Sequence, residues 1–200
     1  VVHSVVERID ATDNTWLDNG SNDNTLLKYV KDVYGDDITT IGFDPTHMER
    51  HSVDYFINDY FNVTKYLERI PSKAKVITMI ACFYDLEDPD DFIDQIKLIL
   101  DDNGIFVVQM MDLESMWKAR DFANICHEHL EYYSLDVLER FMDSVNLRIF
   151  DVEYNDVNGG SLRAYITHHD SKLKTQPTVG EALRRERAYF DSLKPNMAHW

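Results

Sequence analysis

The sequence predicts an α/β fold: a doubly wound sheet with helices on both faces, closing in an antiparallel strand pair. Three observations carry that prediction. Short apolar runs of strand length alternate with segments whose apolar residues recur at helical spacing. Residues that start and stop helices, such as Asp88 with Pro89, Ser134 and Gly35, punctuate the helical segments. The last two strand-like runs are joined by Asn155–Gly159 alone, a link suited to a hairpin and too short for a parallel crossover.

In chain order, residues 1–9 read as a helix and "TWLD" (15–18) as a short buried strand. "TLLKYVKDVYG" (25–35) is helical and stops at Gly35, a natural C-terminal cap. "ITTIGF" (38–43) and "SVDYFIND" (52–59) read as strands, and "TKYLERI" (64–70) as a short helix before Pro71. "KVITMIAC" (75–82) is a strongly apolar strand. In "DPDDFIDQIKLILDD" (88–102) Asp88 can cap a helix and Pro89 suits its first turn. Asp90 and Asp91 match the positive end of its dipole, and Phe92, Ile96, Ile99 and Leu100 form a buried stripe. "GIFVVQMM" (104–111) is a further strand, and 112–133 has no single period. "SLDVLERFMDSV" (134–145) is a helix capped by Ser134, with Leu138, Phe141, Met142 and Val145 on one face. "LRIFDVEY" (147–154) and "GSLRAYIT" (160–167) form the closing pair, and a polar, partly anchored helix follows at about 179–193. There is no repeat and no low-complexity tract, so 1–200 reads as a single domain.

Composition narrows the function. Net charge is −16, with 36 acidic against 20 basic residues, which disfavours nucleic acid and anionic membrane as partners. No apolar run approaches the roughly 18–20 residues of a membrane span. The start of the chain has no charged-then-apolar leader. Two cysteines, Cys82 and Cys126, make neither a disulfide framework nor a four-cysteine zinc site. A cytoplasmic location is the expectation.

Ligands of doubly wound sheets bind at the carboxyl ends of the strands. The turn after the first strand is Asp18-Asn19-Gly20-Ser21-Asn22-Asp23-Asn24. A dinucleotide site needs several glycines to let backbone approach a pyrophosphate, and only Gly20 is present. Asn19 and Asn24 can take left-handed conformations, so a tight turn is feasible. Asp18 and Asp23, however, would repel a phosphate. They suit S-adenosylmethionine, which carries a sulfonium and an ammonium and no phosphate. Asp44, at the end of the second strand, is placed for ribose hydroxyls, and Asp59, at the end of the third, for the adenine amino group. The candidate cofactor residues are Asp18, Gly20, Ser21, Asn22, Asp23, Asp44, Asn58, Asp59 and Ala81.

Five stretches taken together, "LDNGSNDNTLL" (17–27), "GFDPT" (42–46), "NDYFN" (58–62), "ICHEHLEYYSL" (125–135) and "NDVNGGSLRAYI" (155–166), resemble the class I S-adenosylmethionine-dependent methyltransferases. Within these, the chain is most similar to the sugar C-methyltransferase family, which acts on nucleotide-linked keto-deoxysugars; the resemblance covers residues 10–170, the methyltransferase domain only. It implies a Rossmann-like seven-stranded sheet with the last strand antiparallel. The chain departs from the family pattern at Asn24, where glycine is usual, at Cys126, where tyrosine is common, and near Asp85, where histidine is common.

The Cys126-His127-Glu128-His129 stretch admits a metal or a proton-handling reading. In a strand His127 and His129 would face one way and Cys126 and Glu128 the other, which leaves no third metal ligand. No metal is expected. Proton handling fits better: a carbon beside a ketone must lose a proton before it can take a methyl group, and imidazole titrates near neutrality. The resemblance implies His129 as the base. Glu128 would orient it or contact a substrate hydroxyl, Tyr132, Asn158, Ser161 and Arg163 are candidate donors to the enolate oxygen, and Arg163 could also pair with a substrate phosphate. His127 is expected to fix the loop, Tyr133 to pack in the core, Cys126 to be a small packed residue, and His168 and His169 to lie on the surface. The expected reaction is C-methylation of a keto-sugar or nucleotide-sugar through an enolate. O-methylation of a hydroxyl and a non-catalytic S-adenosylmethionine-binding module are the alternatives.

Overall fold

A computed structural model describes residues 1–10, 14–35 and 37–197, leaving aside the side chains of residue 158 and of 194–197. The strands are β1 (Thr15–Asn19), β2 (Thr39–Phe43), β3 (Tyr55–Ile57), β4 (Ala74–Ile80), β5 (Leu100–Met111), β6 (Leu147–Asn155) and β7 (Ser161–His168). The helices are α1 (Val2–Val6), α2 (Thr25–Tyr34), α3 (Val63–Leu67), α4 (Pro89–Ile99), α5 (Leu113–Ala119), α6 (Leu135–Ser144) and α7 (Pro177–Met197). The seven strands form one sheet in the order β3-β2-β1-β4-β5-β7-β6. The order reverses at β1 and β4, and right-handed crossovers on either side of such a reversal place helices on opposite faces. The predicted doubly wound fold is therefore present. Its closing pair is antiparallel, as the short 155–159 link requires, with Asn155 opposite Ser161 and a bulge between Ile149 and Asp151.

The chain divides into two compact units, Val1–Ile80 with Asp88–Val107, and Ala81–Glu87 with Val108–Trp200. In the first, β1 pairs in parallel with β2 and β4, and β2 with β3. All five residues of β1 are buried, with Trp16 and Leu17 fully so. A ladder of edge-to-face rings, Phe43–Phe61–Phe92 at 5.2 and 5.5 Å, fills the space beside β2 and α4. The caps fall where the sequence places them: Asp88 accepts from the Asp91 amide, and Gly35, at φ 85°, follows the end of α2. The strand predicted at 52–59 shortens to three residues at the sheet edge. There the Asp54 carboxylate pairs with Lys31 and accepts from the Thr40 amide at 2.7 Å, and the Asp54 amide donates to Thr40 Oγ1 at 3.2 Å, so that amide bonds a side chain in place of a strand carbonyl.

In the second unit the irregular stretch 112–133 contains α5, capped by Asp112, whose carboxylate accepts from the Ser115 amide at 2.9 Å. The polar last helix is longer than expected and firmly tied. Glu186, only 1% exposed, accepts from the amides of Leu135 at 2.7 Å and Asp136 at 2.9 Å. Ser134 Oγ accepts from the Val137 amide, so the first three amides of α6 are all satisfied. Tyr133 is buried against Phe83, as predicted.

Removing the Glu186 carboxylate leaves two amides at a buried helix start without partners. Glu186→Ala should destabilise the protein by ~1–3 kcal/mol. Glu186→Gln, which keeps one acceptor, should cost less than half of that in thermal unfolding; equal losses for the two variants would contradict the capping role.

Candidate active site

In the first unit the turn after β1 is organised by the end of β2. The amides of Gly20 and Ser21 both donate to the Phe43 carbonyl, at 2.9 and 3.0 Å, and the Asn22 amide donates to Asp44 Oδ2 at 2.9 Å. The Asn24 amide donates to Ser21 O at 2.8 Å, and the Thr25 amide to the carboxylate of Asp23 at 3.0 Å. Asn22 (φ 50°) and Asn24 (φ 63°) take the left-handed conformation, while Asn19 remains in the strand. Gly42 permits this packing. A Cβ there would meet Ser21 Oγ at 2.6 Å and Asn24 Oδ1 at 2.8 Å, two buried atoms that have no hydrogen-bond partner.

Asp44 is 6% exposed and gathers four donors: the Asn22 amide, the Thr46 amide and hydroxyl, and the Arg50 guanidinium at 3.3 Å. Burial raises its pKa, but the hydrogen bonds outweigh that and the net shift is downward. Asn58 Nδ2 donates to the carbonyls of Asp44 and Thr46, locking the same loop. Arg50 also covers the Phe56 ring at 4.2 Å. Asp18 lies fully buried in β1, with Thr78 Oγ1 donating to its carboxylate. Burial, added to by the Asp44 charge, pushes its pKa up to about 7. Two neighbouring carboxylates thus titrate apart, one ionised and one holding its proton into the neutral range.

The structure therefore joins Asp18, Gly20, Ser21, Asn22, Asp44 and Asn58 in one network. Asp23 caps the start of α2. Asp59 stands apart: it forms an ion pair with Lys65 in a cleft of about 260 Å³ that Asn58, Glu68 and Arg69 also line. Five amides of the turn are already engaged, so none of them is free to cradle a pyrophosphate. What the turn offers is carboxylates, a set that fits a cationic sulfonium nucleoside. Arg50, Thr46 and Thr78 were not anticipated from the sequence. Arg50 could have been suspected as a basic residue close after Asp44 in an acidic chain.

In the second unit, Ala81 takes φ 58° just after β4 and its amide donates to the Gln109 carbonyl at 2.7 Å. The His-Glu-His stretch is a turn and not a strand, so the alternation expected of it does not apply. Glu128 pairs with His127 at 3.0 Å, and both are well exposed. Cys126 is exposed, not packed. His129 is positioned differently. Its Nδ1 lies 2.8 Å from the Asn124 carbonyl, and since a carbonyl only accepts, Nδ1 is the donor and Nε2 is the ring nitrogen that this bond leaves over. Its ring packs on Tyr84 at 4.5 Å, and the Tyr84 carbonyl takes the amides of Leu130 and Glu131 at 3.0 and 3.1 Å. Asp85, on the same short 3₁₀ turn, has its pKa raised by burial and by Glu128 and lowered by His129. Tyr84, Asp85 and Asn124 are thus neighbours of the imidazole that sequence reasoning missed.

Tyr132 donates to the same Asn124 carbonyl at 3.4 Å. Ser161 is 2% exposed, and its hydroxyl donates to Val157 O at 2.8 Å. Arg163 is held by Glu153 and Gln109, both at 2.8 Å, so it is engaged within the sheet. Asn158 sits in a 3₁₀ turn, Val157–Gly159; its side chain lies outside the described atoms. The glycines of that turn are required: a Cβ on Gly160 (φ 128°) would lie 2.5 Å from Ser115 Cβ, and one on Gly159 (φ 79°) 2.9 Å from Asp121 Oδ2. The Asn-Gly-Gly motif is a brace against α5 and the loop after it. Among the described residues no group of three or more His, Cys, Asp or Glu side chains is placed to hold a metal ion, and no helix is long and apolar enough to cross a membrane.

Fold, strand order and turn chemistry define the class. A family model described as a methyltransferase domain matches residues 2–152, and the chain belongs to that family, the S-adenosylmethionine-dependent class I methyltransferases. Among characterised relatives it is similar to the C-methyltransferase NovU of Streptomyces niveus, with 30% identity over 115 residues. That match spans 58% of this chain and 27% of the relative, so the chain accounts for about a quarter of the relative's length. Solved structures share the fold at low identity. One is the complex between the Haloferax volcanii Trm112 methyltransferase activator and a methyltransferase (TM-score 0.62, 14% identity, 84% of this chain and 87% of that one). Another is the plantazolicin methyltransferase BamL with a triazolic desmethylPZN analog and SAH (TM-score 0.57, 11% identity, 78% and 77%).

Asp18 makes stability depend on pH. Its folded pKa of about 7 lies above the ordinary 3.8, so the native state retains a proton that the unfolded chain has lost. The stability it supports is fully present below pH ~4 and is lost as pH rises through ~7, on the order of 4 kcal/mol in all. Fully burying Trp16 and Leu17 beside it contributes ~1.5–3 kcal/mol each, enough to offset that loss. Asp18→Asn, measured by chemical denaturation, should be more stable than the wild type at pH 8 and about equal to it at pH 4. Parallel curves across that range would show that Asp18 is ionised throughout.

Proposed function

We propose that the protein transfers the methyl group of S-adenosylmethionine to a carbon beside a ketone, on a keto-sugar or a nucleotide-linked keto-sugar, with His129 as the general base. The observation that carries this reading is the tautomer of His129: with Nδ1–H held by the Asn124 carbonyl, Nε2 is presented as a base. The similarity to NovU, a C-methyltransferase, supports the choice of carbon as acceptor.

Asp18, Asp44, Asn58 and the Gly20–Asp23 turn are the residues proposed to hold the cofactor, and Asp59 and Ala81 are its outer candidates. When bound, S-adenosylmethionine supplies a methyl group on a sulfonium, already electrophilic. The protein's task is then to make the nucleophile. His129 Nε2 removes the proton from the carbon next to the ketone, and the electron pair moves onto the ketone oxygen as an enolate. Tyr132 is the proposed donor to that oxygen, its single hydroxyl proton turning away from the long 3.4 Å contact with the Asn124 carbonyl, while Ser161 and Arg163, engaged by Val157 and by Glu153 and Gln109, brace the wall from behind. Glu128, exposed beside His127, is the proposed contact to a substrate hydroxyl, and Asn158 is a further proposed donor to the acceptor. A bound cofactor would supply its methyl group to the enolate carbon and be left as a neutral thioether, while the proton held on His129 passes to solvent.

His129→Ala should lower turnover by about 10²–10⁴ while cofactor affinity stays nearly unchanged. With a nucleotide-linked keto-sugar in deuterium oxide, the same variant should lose exchange of the acidic proton, because that step precedes methyl transfer. Full exchange in His129→Ala would move the base role to another group, with Asp85 and Glu128 the next to test.

A further inference from the structure

The second unit contains an apolar cavity of about 490 Å³, of whose lining the chemistry above uses Tyr132 alone. Met116, Trp117, Phe122, Ile125 and Tyr132 line it, with Arg120 at its edge. Its size falls in the roughly 300–1,000 Å³ range of small-molecule sites. Phe122 is 73% exposed, Ile125 61% and Trp117 52%, a concentration of bare apolar side chains that a surface without a ligand would not carry so close together. The other charged liner, Asp121, is engaged by its own loop: its oxygens accept from the Ala123 amide at 3.0 Å and from Asn124 Nδ2 at 2.9 Å.

The cavity is joined to the base through one atom. The Asn124 carbonyl takes His129 Nδ1–H from one side and the hydroxyl of Tyr132, a cavity wall, from the other. The Asn-Gly-Gly turn presses on the opposite side of the same segment, at Ser115 and Asp121. Both of the sequence's most distinctive motifs therefore hold residues 113–125 in place.

We propose that this cavity is the acceptor pocket and that it takes a flat, uncharged ring of the acceptor, with the reacting carbon carried past Asn124 to His129. The inference rests on the reading of His129 as the base. The wall offers aromatic faces for stacking and a single guanidinium, whereas a pyrophosphate would need several cationic or amide donors. An acceptor that carries a diphosphate must hold that part elsewhere.

The test is a fluorescence titration with N-phenyl-1-naphthylamine, a neutral two-ring probe. The wild type should bind it saturably at one site. Trp117→Ala and Ile125→Asp should each weaken binding about tenfold or more. Both variants should retain wild-type affinity for S-adenosylhomocysteine, which shows that they fold. Inorganic pyrophosphate should not displace the probe. No saturable binding by the wild type, unchanged affinity in both variants, or displacement by pyrophosphate would each overturn the proposal. Failure of the base reading shows up separately, as deuterium exchange retained by His129→Ala with probe binding intact.

Discussion

Two acceptors at the end of β2, the Phe43 carbonyl and the Asp44 carboxylate, take the amides of Gly20, Ser21 and Asn22. Most of the turn after β1 follows from that arrangement. A loop whose amides point into the neighbouring strand cannot also present them to a phosphate, so its recognition chemistry must come from side chains. Gly42 is the residue that lets the turn approach this closely. Arg50 and Thr46 keep Asp44 ionised at the mouth of the turn, and the nearby negative charge helps to keep Asp18 protonated beneath it. The result is a graded pair of acids in place of the glycine-rich cradle that serves dinucleotides.

The second unit is organised by carbonyls. Tyr84 O holds the backbone of 130–131, and Asn124 O holds His129 and Tyr132. Backbone acceptors of this kind fix a ring without adding charge, so the imidazole keeps a defined tautomer in a chain that is otherwise strongly acidic. Glu186 does comparable work further off, where a buried carboxylate replaces the side-chain caps that the α6 sequence lacks at its first two positions.

How much of this was legible in the sequence differed by feature. Helix caps at Asp88, Ser134 and Gly35 and the hairpin at 155–161 depend on local residue chemistry, and they stand where the sequence puts them. Alternation of strands and helices announced the doubly wound sheet, whereas the strand order is visible only in the folded chain. The His-Glu-His stretch was misjudged as strand-like because period alone cannot distinguish a strand from a turn pinned by distant carbonyls. Arg50, Asn124 and Tyr84 escaped for the same reason: each acts through a contact made by the folded chain, with no local pattern to announce it. Ser161 and Arg163 carry chemistry that looks functional in a sequence, and the hydrogen bonds that engage them are visible only in three dimensions.

The claim that the turn after β1 recognises a cation through carboxylates, and not a phosphate through amides, is tested most directly by calorimetric titration with S-adenosylhomocysteine and, separately, with NAD. The account predicts saturable binding of S-adenosylhomocysteine and no heat of binding for NAD at the same concentrations. Saturable NAD binding with no response to S-adenosylhomocysteine would contradict it.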